Sequence, residues 1–442
     1  MDVALGTPWN RYMHDSLASI WYTPEGVGKY TYVHRVSIAV AVAQAEIGLV
    51  PAGTGEALTR ALVDLDRILE IQAAGENHQL RAYLRMVQEK MTKNGDKDFL
   101  PYVHNRLTSF DLEDTATSMM LVESADLLLA DLRSLAASLQ KLAREHKHTL
   151  MIGRTHGIHA KPITFGKKCL DWLDMIERCR TRLETAKGEV AVGKISGAVG
   201  IFSQPPVVEE KVCGLLRLRL ARVSTQILSR DIYAAFFAEV GLLTGCLEKI
   251  STDIRLGQQT DRQELEEPFR STGSSAMPHK RNAEKCEQIK ALAKDVRGLI
   301  GALFENIDTW DERALDQSAT ERLAFASILV TTGYMCRSMI AITQGLWVNV
   351  EQMRANIDRT NGAIYAEDVK IALQEKGIPQ TAAYDLVKGP AQEAYLGHGN
   401  LIDNCLAVSE IAKLLSRQDL EALCDSKQAF RYLDEIYARF GL

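Results

Sequence analysis

Long intervals of this sequence contain neither proline nor glycine, the residues that most often interrupt a helix. In residues 113–152, EDTATSMMLVESADLLLADLRSLAASLQKLAREHKHTLMI, leucines recur at spacings of three and four. This spacing places apolar side chains along one side of a helix. Similar apolar patterns fill 166–190, 231–256, 282–306 and 319–350. At 1.5 Å per residue, helices of roughly 25 to 35 residues extend over about 40 to 50 Å, which predicts an elongated helical bundle.

Shorter helical segments flank these long ones. Stretches such as TPEGVG and TKNGDKD break the N-terminal part, and KGIP and LGHGN break the C-terminal part. We predict an all-α fold of three helical domains: an N-terminal domain at 1–107, a central long-helix bundle at 108–352 and a C-terminal domain at 353–442. The segment EVAVGKISG, near 189–197, is the best candidate for a short strand. Outer apolar stripes of the bundle are expected to bury against other copies of the chain.

Composition excludes several classes of protein. Apolar residues make up 46% and charged residues 25% of the chain, and the net charge of −5 argues against a nucleic-acid or anionic-membrane surface. The run LAFASILVTTGYM is too short to span a bilayer and predicts a buried helix. No secretory signal is evident near the N-terminus, so a cytoplasmic location is expected. The eight cysteines include no C-x-x-C pair, which favours free thiols over disulfides or a zinc site.

Two loops beside the long helices carry hydroxyls and histidines. In HNRLTSFDLEDT, Thr108 and Ser109 precede a helix, where they could cap it or bind an anion with nearby backbone N–H groups. In GRTHGIHAKPITFG, the glycines and the proline predict an irregular turn between two long helices. Its two histidines, His156 and His159, lack a further ligand at suitable spacing, so a metal site is disfavoured. Proton transfer suits a histidine on such a loop, and a hydrogen-bonded structural histidine is the alternative.

A third loop, STGSSAMPHKRNAEKCEQIK at 271–290, begins with small residues that suit a mobile lid. Lys280 and Asn282 then stand just before the helix that contains Glu287, where cations and a helix N-terminus would make an anion site. A solvated basic loop is the alternative. Together the three loops supply hydroxyls, a histidine, a lysine, an asparagine and a glutamate. That set suits removal of a proton beside a carboxylate and protonation of a leaving group.

The segment GSSAMPHKRN resembles the signature loop of the fumarase/aspartase superfamily, helical tetramers that eliminate fumarate from succinyl compounds. Within that superfamily, SSAMPHKRN is similar to the adenylosuccinate lyase family. The resemblance covers nearly the whole chain, through RYMHDSLASIW, LTSFDLEDTA, GRTHGIHAKPITFGKK, ISGAVG, STQILSRD and ERALDQSATERL. It implies a homotetramer with a 20-helix core, in which each site combines loops from three subunits. It also implies no metal and no organic cofactor.

The resemblance implies catalytic roles for five residues. Ser274, the first serine of GSSAMPHKRN, corresponds to the general base that removes a proton from the succinyl carbon. His156 corresponds to the general acid for the departing nitrogen, with Glu287 as its carboxylate partner. Lys280 is expected to stabilise the aci-carboxylate that forms, and His78 corresponds to a second histidine near the substrate.

Other residues of the same motifs are expected to bind the substrate. An Arg-Tyr pair near the N-terminus corresponds to a phosphate contact, and the glutamine of STQILSRD to a contact with the succinyl group. From the residues alone, Arg313 and Arg322 could instead pair with the glutamate that precedes each of them. The complete set of expected substrate contacts is Arg11, Tyr12, Thr108, Ser109, Gln226, Met277, Asn282, Arg313, Ser318 and Arg322.

Several positions depart from the usual pattern of the family. They are Gln79 for an aspartate, Asn105 and Arg106 for an aromatic residue and a glycine, Lys161 for a glutamate and Ala283 for a proline. In the C-terminal region, YAEDV replaces the more usual FSQRV. The proposed base, acid and phosphate contacts all persist, so the departures concern the identity of the substrate more than the chemistry.

The resemblance therefore predicts a cytoplasmic C–N lyase of purine biosynthesis. It would release fumarate from adenylosuccinate, giving AMP, and from succinylaminoimidazole carboxamide ribotide. Its partner would be a small nucleotide, with no nucleic acid and no membrane. Two alternatives stay open: a superfamily lyase for another succinylated or phosphorylated substrate, such as argininosuccinate or a muconate-type lactone, and a non-catalytic scaffold tetramer.

Overall fold

The computed structural model describes residue 12 and residues 15–21, 28–269 and 277–442. Two residues with predicted roles, Arg11 and Ser274, lie outside these described residues.

The described chain is mainly helical, with short strands between helices. Its N-terminal part contains α1 (Asp15–Trp21), α2 (Gly28–Glu46), α3 (Thr54–Arg60), α4 (Leu65–Ala73), α5 (Gln79–Lys93) and the 3₁₀ helix Lys97–Tyr102. Its middle part contains α6 (Ser109–Glu145), β1 (Leu150–Thr155), β2 (Ile158–Thr164), α7 (Phe165–Val190), β3 (Val192–Gly193), α8 (Val207–Leu216), β4 (Arg219–Leu220), α9 (Arg230–Gln258), β5 (Leu265–Glu266), α10 (Glu284–Glu305) and α11 (Asp316–Gly345). Its C-terminal part contains β6 (Trp347–Val348), α12 (Val350–Asp358), the 3₁₀ helix Ala363–Tyr365, α13 (Ala366–Glu375), α14 (Gln380–Tyr395), α15 (Leu401–Leu406), α16 (Ser409–Ala412), α17 (Arg417–Leu423), the 3₁₀ helix Ser426–Phe430 and α18 (Leu433–Ala438).

The predicted long helices are present as α6, α7, α9, α10 and α11, so the all-α prediction is confirmed. The longest, α6, has 37 residues and ends at Glu145, earlier than the apolar pattern predicted. The predicted strand near 189–197 exists as β3, which pairs in parallel with β4. Apolar periodicity therefore located the long helices correctly, because an amphipathic stripe repeats with the helical period.

The turn between α6 and α7 differs from its prediction as an irregular loop. Here β1 and β2 form an antiparallel hairpin in which Thr155 lies opposite Ile158. The two residues between them, His156 and Gly157, have φ values of 53° and 80°. Positive φ at both central residues is what a type I′ hairpin turn requires. The irregularity suggested by the glycines and the proline is present within the hairpin, because the pairing register shifts between Ile152, opposite Pro162, and Arg154, opposite His159.

The chain divides into two compact units. Unit 1 comprises Met1–Ser134, Ile176–Glu248 and Gln288–Met339, and unit 2 comprises Leu135–Met175, Lys249–Glu287 and Ile340–Leu442. The core of unit 1 includes Val36, Tyr83, Met86, Leu112 and Met120, all fully buried or nearly so. The core of unit 2 includes Ile152, Ile357, Leu373, Leu401 and Leu420. The three-domain division drawn from the sequence stays a prediction.

Within the described residues, one helix is long and apolar enough to cross a membrane by length and composition, the 30-residue α11. In its most apolar stretch, 67% of the residues are buried inside the protein. Core helices commonly have this length and composition, and the burial agrees with the prediction of a buried helix.

A buried ion pair stabilises the start of α6. The Lys194 ammonium lies 2.7 Å from the Asp111 carboxylate, and neither side chain is exposed. Asp111 also accepts the backbone N–H of Thr108 at 2.8 Å and that of Gly197 at 3.1 Å. Lys194 also donates to the carbonyl of Gln226 at 2.8 Å. One pair of charges thus holds together three segments: the start of α6, the loop after β3 and the loop before α9.

Substitution of Lys194 by methionine tests this role. Lys194→Met leaves the Asp111 carboxylate buried without its cation, and we expect a loss of about 3–5 kcal/mol in the free energy of unfolding. Lys187→Met is the control, because Lys187 pairs with the half-exposed Asp126 at the surface and should cost about 1 kcal/mol or less. Denaturant unfolding at equal protein concentration compares the two variants. Equal losses would show that the buried pair contributes no more to the free energy of unfolding than the surface pair does.

Candidate active site

In unit 1, two of the predicted substrate residues contact each other. Arg313 donates a hydrogen bond to the side-chain oxygen of Gln226 at 2.8 Å. The Gln226 amide group donates in turn to the carbonyl of Ala198 at 3.2 Å, in the ISGAVG loop. The Arg313 guanidinium also lies 4.3 Å from the centre of the Phe110 ring, in the first turn of α6. Arg313 is therefore held by an amide and an aromatic face, with donors still available for a ligand.

Two cavities of unit 1 share three charged residues. The first, of about 140 Å³, is lined by Ser318, Arg322 and Phe110 together with Lys29 and Glu113. The second, of about 190 Å³, is also lined by Lys29, Glu113 and Arg322. Its other lining residues include Gln79, Leu80 and Tyr30. The structure thus places the predicted contacts Ser318 and Arg322 at one cavity, and the departure Gln79 at its neighbour.

A buried triad lies beside the first cavity. The Arg230 guanidinium binds the Asp114 carboxylate at 2.7 and 3.1 Å and the Glu321 carboxylate at 2.8 and 3.2 Å. Burial, together with the nearby Asp114 charge, raises the pKa of Glu321 to about 7, although Arg230 opposes this shift. Each of the three residues lies in a motif of the family resemblance, LTSFDLEDTA, STQILSRD or ERALDQSATERL, but sequence reasoning missed the triad because the motifs are far apart in the chain and their spacing does not show that these side chains meet.

The triad also decides between the interpretations of the two arginines. Glu321 is bound by Arg230, and among the described residues no ion pair joins Arg313 or Arg322 to a preceding glutamate. The surface salt bridges considered from the residues alone are therefore absent from the described structure. Arg322 remains exposed beside the cavity.

The other predicted residues of unit 1 lie at helix starts and near the N-terminus. Thr108 and Ser109 are half-buried at the start of α6, where the Thr108 N–H bonds to Asp111. His78 is exposed and immediately precedes α5. The ring of Tyr12 packs edge-on against Tyr334, with ring centres 5.4 Å apart.

The departure at Arg106 has a conformational consequence. Arg106 has a φ of 57°, in the left-handed region that glycine adopts most easily. The usual glycine of the family suits this backbone, whereas an arginine there costs about 1–2 kcal/mol of strain. Its guanidinium donates to the carbonyl of Ser203 at 3.3 Å, which offsets part of that cost. The loop before Thr108 therefore keeps a glycine-like conformation without the glycine.

In unit 2, the proposed acid His156 is exposed at the type I′ turn of the hairpin. His159 lies further along β2, and its pKa is lowered by burial and by the charge of Arg154. The Arg154 guanidinium is itself bound by Glu264 at 2.8 and 2.9 Å, and both side chains are largely buried. Because Arg154 lies two residues before His156, this ion pair anchors the end of β1 next to the turn. Among the described residues, no group of three or more His, Cys, Asp or Glu could hold a metal ion.

The signature segment leads into α10, whose N-terminus is already occupied. The Glu267 carboxylate accepts the backbone N–H groups of Lys285 at 3.2 Å and Cys286 at 2.6 Å. This corrects the prediction that the helix N-terminus helps to make an anion site, because a carboxylate of the chain already binds there. Lys280 remains exposed in front of the helix.

Other residues of this segment are also placed by the structure. Met277 is 43% exposed, Asn282 is half-buried and the unusual Ala283 is buried. Glu287 is exposed and accepts a hydrogen bond from Arg255 at 3.0 Å. Within one chain, no hydrogen bond between described residues joins Glu287 to His156.

Two departures from the family pattern compensate each other. Lys161, at a position where glutamate is usual, lies 2.9 Å from the Asp368 carboxylate, and Asp368 stands where the FSQRV pattern has arginine. Lys161 also contacts Glu367 at 2.7 Å, where that pattern has glutamine. The two positions form an ion pair between the hairpin and α13, with charges opposite to those of the usual glutamate and arginine. Hence these departures preserve the support of the hairpin.

Reversing the pair again tests the compensation. In a Glu367→Gln background, Lys161→Glu and Asp368→Arg should each lower stability, because each places like charges together. The double variant should recover most of the loss, with a coupling energy of about 1 kcal/mol. Thermal unfolding of the four proteins measures this coupling. Additive losses would mean that Lys161 and Asp368 do not interact in solution.

The long helices, the signature segment and the two groups of site residues define a helical lyase of the fumarase/aspartase class. Residues 24–298 match the family model described as lyase, and residues 362–440 match that of the adenylosuccinate lyase C-terminus. The chain is 39% identical over 412 residues to an adenylosuccinate lyase of Synechocystis sp., covering 92% of this chain and 94% of that protein. It is 36% identical over 434 residues to an adenylosuccinate lyase of Thermotoga maritima, covering 97% and 99%.

A solved structure shares the fold. The fumarate lyase from Mesorhizobium sp. BNC1 superposes with a TM-score of 0.86 at 25% identity, covering 96% of this chain and 98% of that one. The chain belongs to the adenylosuccinate lyase family.

Proposed function

We propose that this protein is a C–N lyase that releases fumarate from adenylosuccinate, giving AMP. By the same reaction it would act on succinylaminoimidazole carboxamide ribotide in purine biosynthesis. The observation that carries the proposal is the geometry near the start of α6, where Arg313 binds Gln226 and where Ser318 and Arg322 line one cavity. The full-length relatives with this family's motifs are adenylosuccinate lyases. These residues suit the anionic groups of a succinylated nucleotide.

The chemistry begins when the Ser274 alkoxide, stabilised by the nearby cations, takes a proton from the succinyl carbon and becomes a hydroxyl. Negative charge then builds on the adjacent carboxylate, and Lys280 and Asn282 with Thr108 and Ser109 stabilise it. His156 donates a proton to the nitrogen as the C–N bond breaks, and fumarate leaves. Because the substrate's own carboxylate accepts the charge, protein cations are sufficient for this elimination.

The proposed contacts divide between the phosphate end and the succinyl end of the substrate. Arg11, Tyr12, Ser318 and Arg322 would bind the phosphate, and Gln226 with Arg313 the succinyl group, while His78 and Met277 approach the reacting part of the substrate. The hydrogen bond from Arg313 orients the Gln226 side chain before the substrate arrives, which lowers the entropic cost of binding.

We further propose a cytoplasmic homotetramer in which other subunits complete each site. His156 is exposed at its turn, and Glu287 is bound by Arg255 within the chain. The proposed pairing of His156 with Glu287 would therefore form between subunits. Large apolar side chains are also exposed on three of the long helices, at Leu242, Phe304 and Leu323. Contacts between copies would bury this surface and bring the loops together.

A second candidate function is the release of fumarate, or a similar acid, from another succinylated amine. The observation in its favour is Gln79, which stands at the usual aspartate and lines the cavity shared by Lys29 and Arg322. Loss of that carboxylate changes the hydrogen-bonding groups offered to the part of the substrate near α5.

Turnover of adenylosuccinate by the purified protein distinguishes the two functions. We expect conversion to AMP and fumarate, followed by absorbance and by chromatography of the products. Other succinylated amines, including argininosuccinate, serve as competing substrates. Fumarate release from one of these, with none from adenylosuccinate, would establish the second function, and no release from any of them would favour a scaffold.

Substitution of the proposed base tests the mechanism. Ser274→Ala should lower kcat at least about 100-fold, since general base catalysis contributes that much or more, while the oligomeric state stays unchanged. Ser275→Ala, which removes the neighbouring hydroxyl of the same loop, is the matched control. Substantial turnover by Ser274→Ala, or its loss in Ser275→Ala alone, would show that the base was misassigned.

A further inference from the structure

Glu113 has a position in unit 1 that the proposed mechanism does not use. It lies in the second turn of α6 and lines both cavities beside Lys29 and Arg322. Its carboxylate accepts a hydrogen bond from the Lys29 ammonium at 2.8 Å, and 13% of its side chain is exposed. Glu113 is therefore a nearly buried acid at the cavity where Ser318 and Arg322 would bind an anion.

The charge of Glu113 is maintained by its surroundings. Burial alone would raise its pKa, but Lys29, Arg322 and Arg313 together lower the pKa below its ordinary value. By reciprocity, Glu113 reduces the positive potential that these cations direct into the cavity.

The neighbouring acids have other partners. Asp114 and Glu321 also line the first cavity, but their carboxylates are bound by Arg230 from inside the protein. Lys29, in contrast, is 36% exposed, so the Glu113–Lys29 pair stands at the cavity surface. An anion that enters the cavity therefore meets the charge of Glu113 most directly.

We propose that Glu113 sets the anion selectivity of this site. It acts as a built-in counter-ion for Lys29 and Arg322, so that a simple anion such as inorganic phosphate binds weakly. A complete substrate, with further contacts elsewhere, binds in spite of this repulsion. The proposal rests on the proposed function for the identity of the substrate, but its charge effect does not depend on turnover. Glu113 is here a specificity-determining residue and takes no part in proton transfer.

Removing the charge of Glu113 should change the affinity for phosphate in a direction that can be measured. Glu113→Gln keeps the shape of the side chain and leaves Lys29 and Arg322 with one fewer counter-charge. We expect inorganic phosphate to bind on the order of ten-fold more tightly, and the KM for adenylosuccinate to fall while kcat changes little. Both effects should shrink at high ionic strength. Glu113→Asp keeps the charge and should retain most of the weak phosphate binding of the original protein.

Glu123→Gln is the matched control. Glu123 lies on the same helix and pairs with Arg35 at 3.0 Å, but it lines neither cavity and is 42% exposed. The variant makes the same change in net charge, so its phosphate affinity should equal that of the original protein. Equal gains in both variants would attribute the effect to net charge and overturn the role of Glu113.

Isothermal titration calorimetry with inorganic phosphate reports binding without turnover, and inhibition by phosphate reports it during turnover. Tighter phosphate binding by Glu113→Gln supports the proposal, even if adenylosuccinate is not a substrate and the proposed function fails. A higher KM with unchanged phosphate binding would mean that Glu113 accepts a hydrogen bond from the substrate, and the proposal would be wrong. If Glu113→Gln does not fold, Lys29→Met tests the same charge balance, with weaker phosphate binding expected and unchanged or tighter binding contradicting it.

Discussion

The start of α6 depends on two buried carboxylates that receive their cations from distant parts of the chain. Asp111 is bound by Lys194, and Asp114 is bound by Arg230. Because burying a charge without a partner is costly, each pair constrains where its two segments can lie. Phe110 and Glu113 lie in the same helix turns, and Thr108 lies just before them. These two ion pairs therefore help to position the proposed site residues of unit 1. A change at either cation would disturb binding without touching the substrate.

Unit 1 illustrates how a proposed anion site can contain many acids. Arg230 is shared by Asp114 and Glu321, which leaves it little capacity for a ligand. Arg313 is held by neutral groups, an amide and an aromatic ring, and keeps its positive charge available. The useful cations are therefore those whose partners are uncharged or incomplete. A count of charged residues would have missed this distinction.

The departures from the family pattern have different physical meanings. At Arg106 the backbone keeps the left-handed conformation that favours glycine, so the substitution stores strain. At Lys161 the charge is reversed, but Asp368 is reversed with it, and the contact survives. Gln79 lines a cavity with Lys29, Glu113 and Arg322, so its loss of a carboxylate bears on the proposed substrate contacts, and the substrate's identity is best tested there.

Local patterns were enough to locate the long helices and to predict the chemistry of the loops that join them. Apolar periodicity is local, and the GSSAMPHKRN motif is contiguous, so both are visible without a structure. The motifs also predict His156 as a site residue, but not its type I′ turn, since the turn depends on the pairing of β1 with β2.

Which charges neutralise each other follows from the fold and is not visible in the sequence. Glu267 occupies the N-terminus of α10, and Arg230 binds Glu321, which lies 91 residues away in sequence. Glu113 stands beside Lys29 although 84 residues separate them. The strength of a Coulombic interaction depends on the distance between the charges and on their burial, and both are set by the fold. The spacing of residues along the chain does not show which charges will be close.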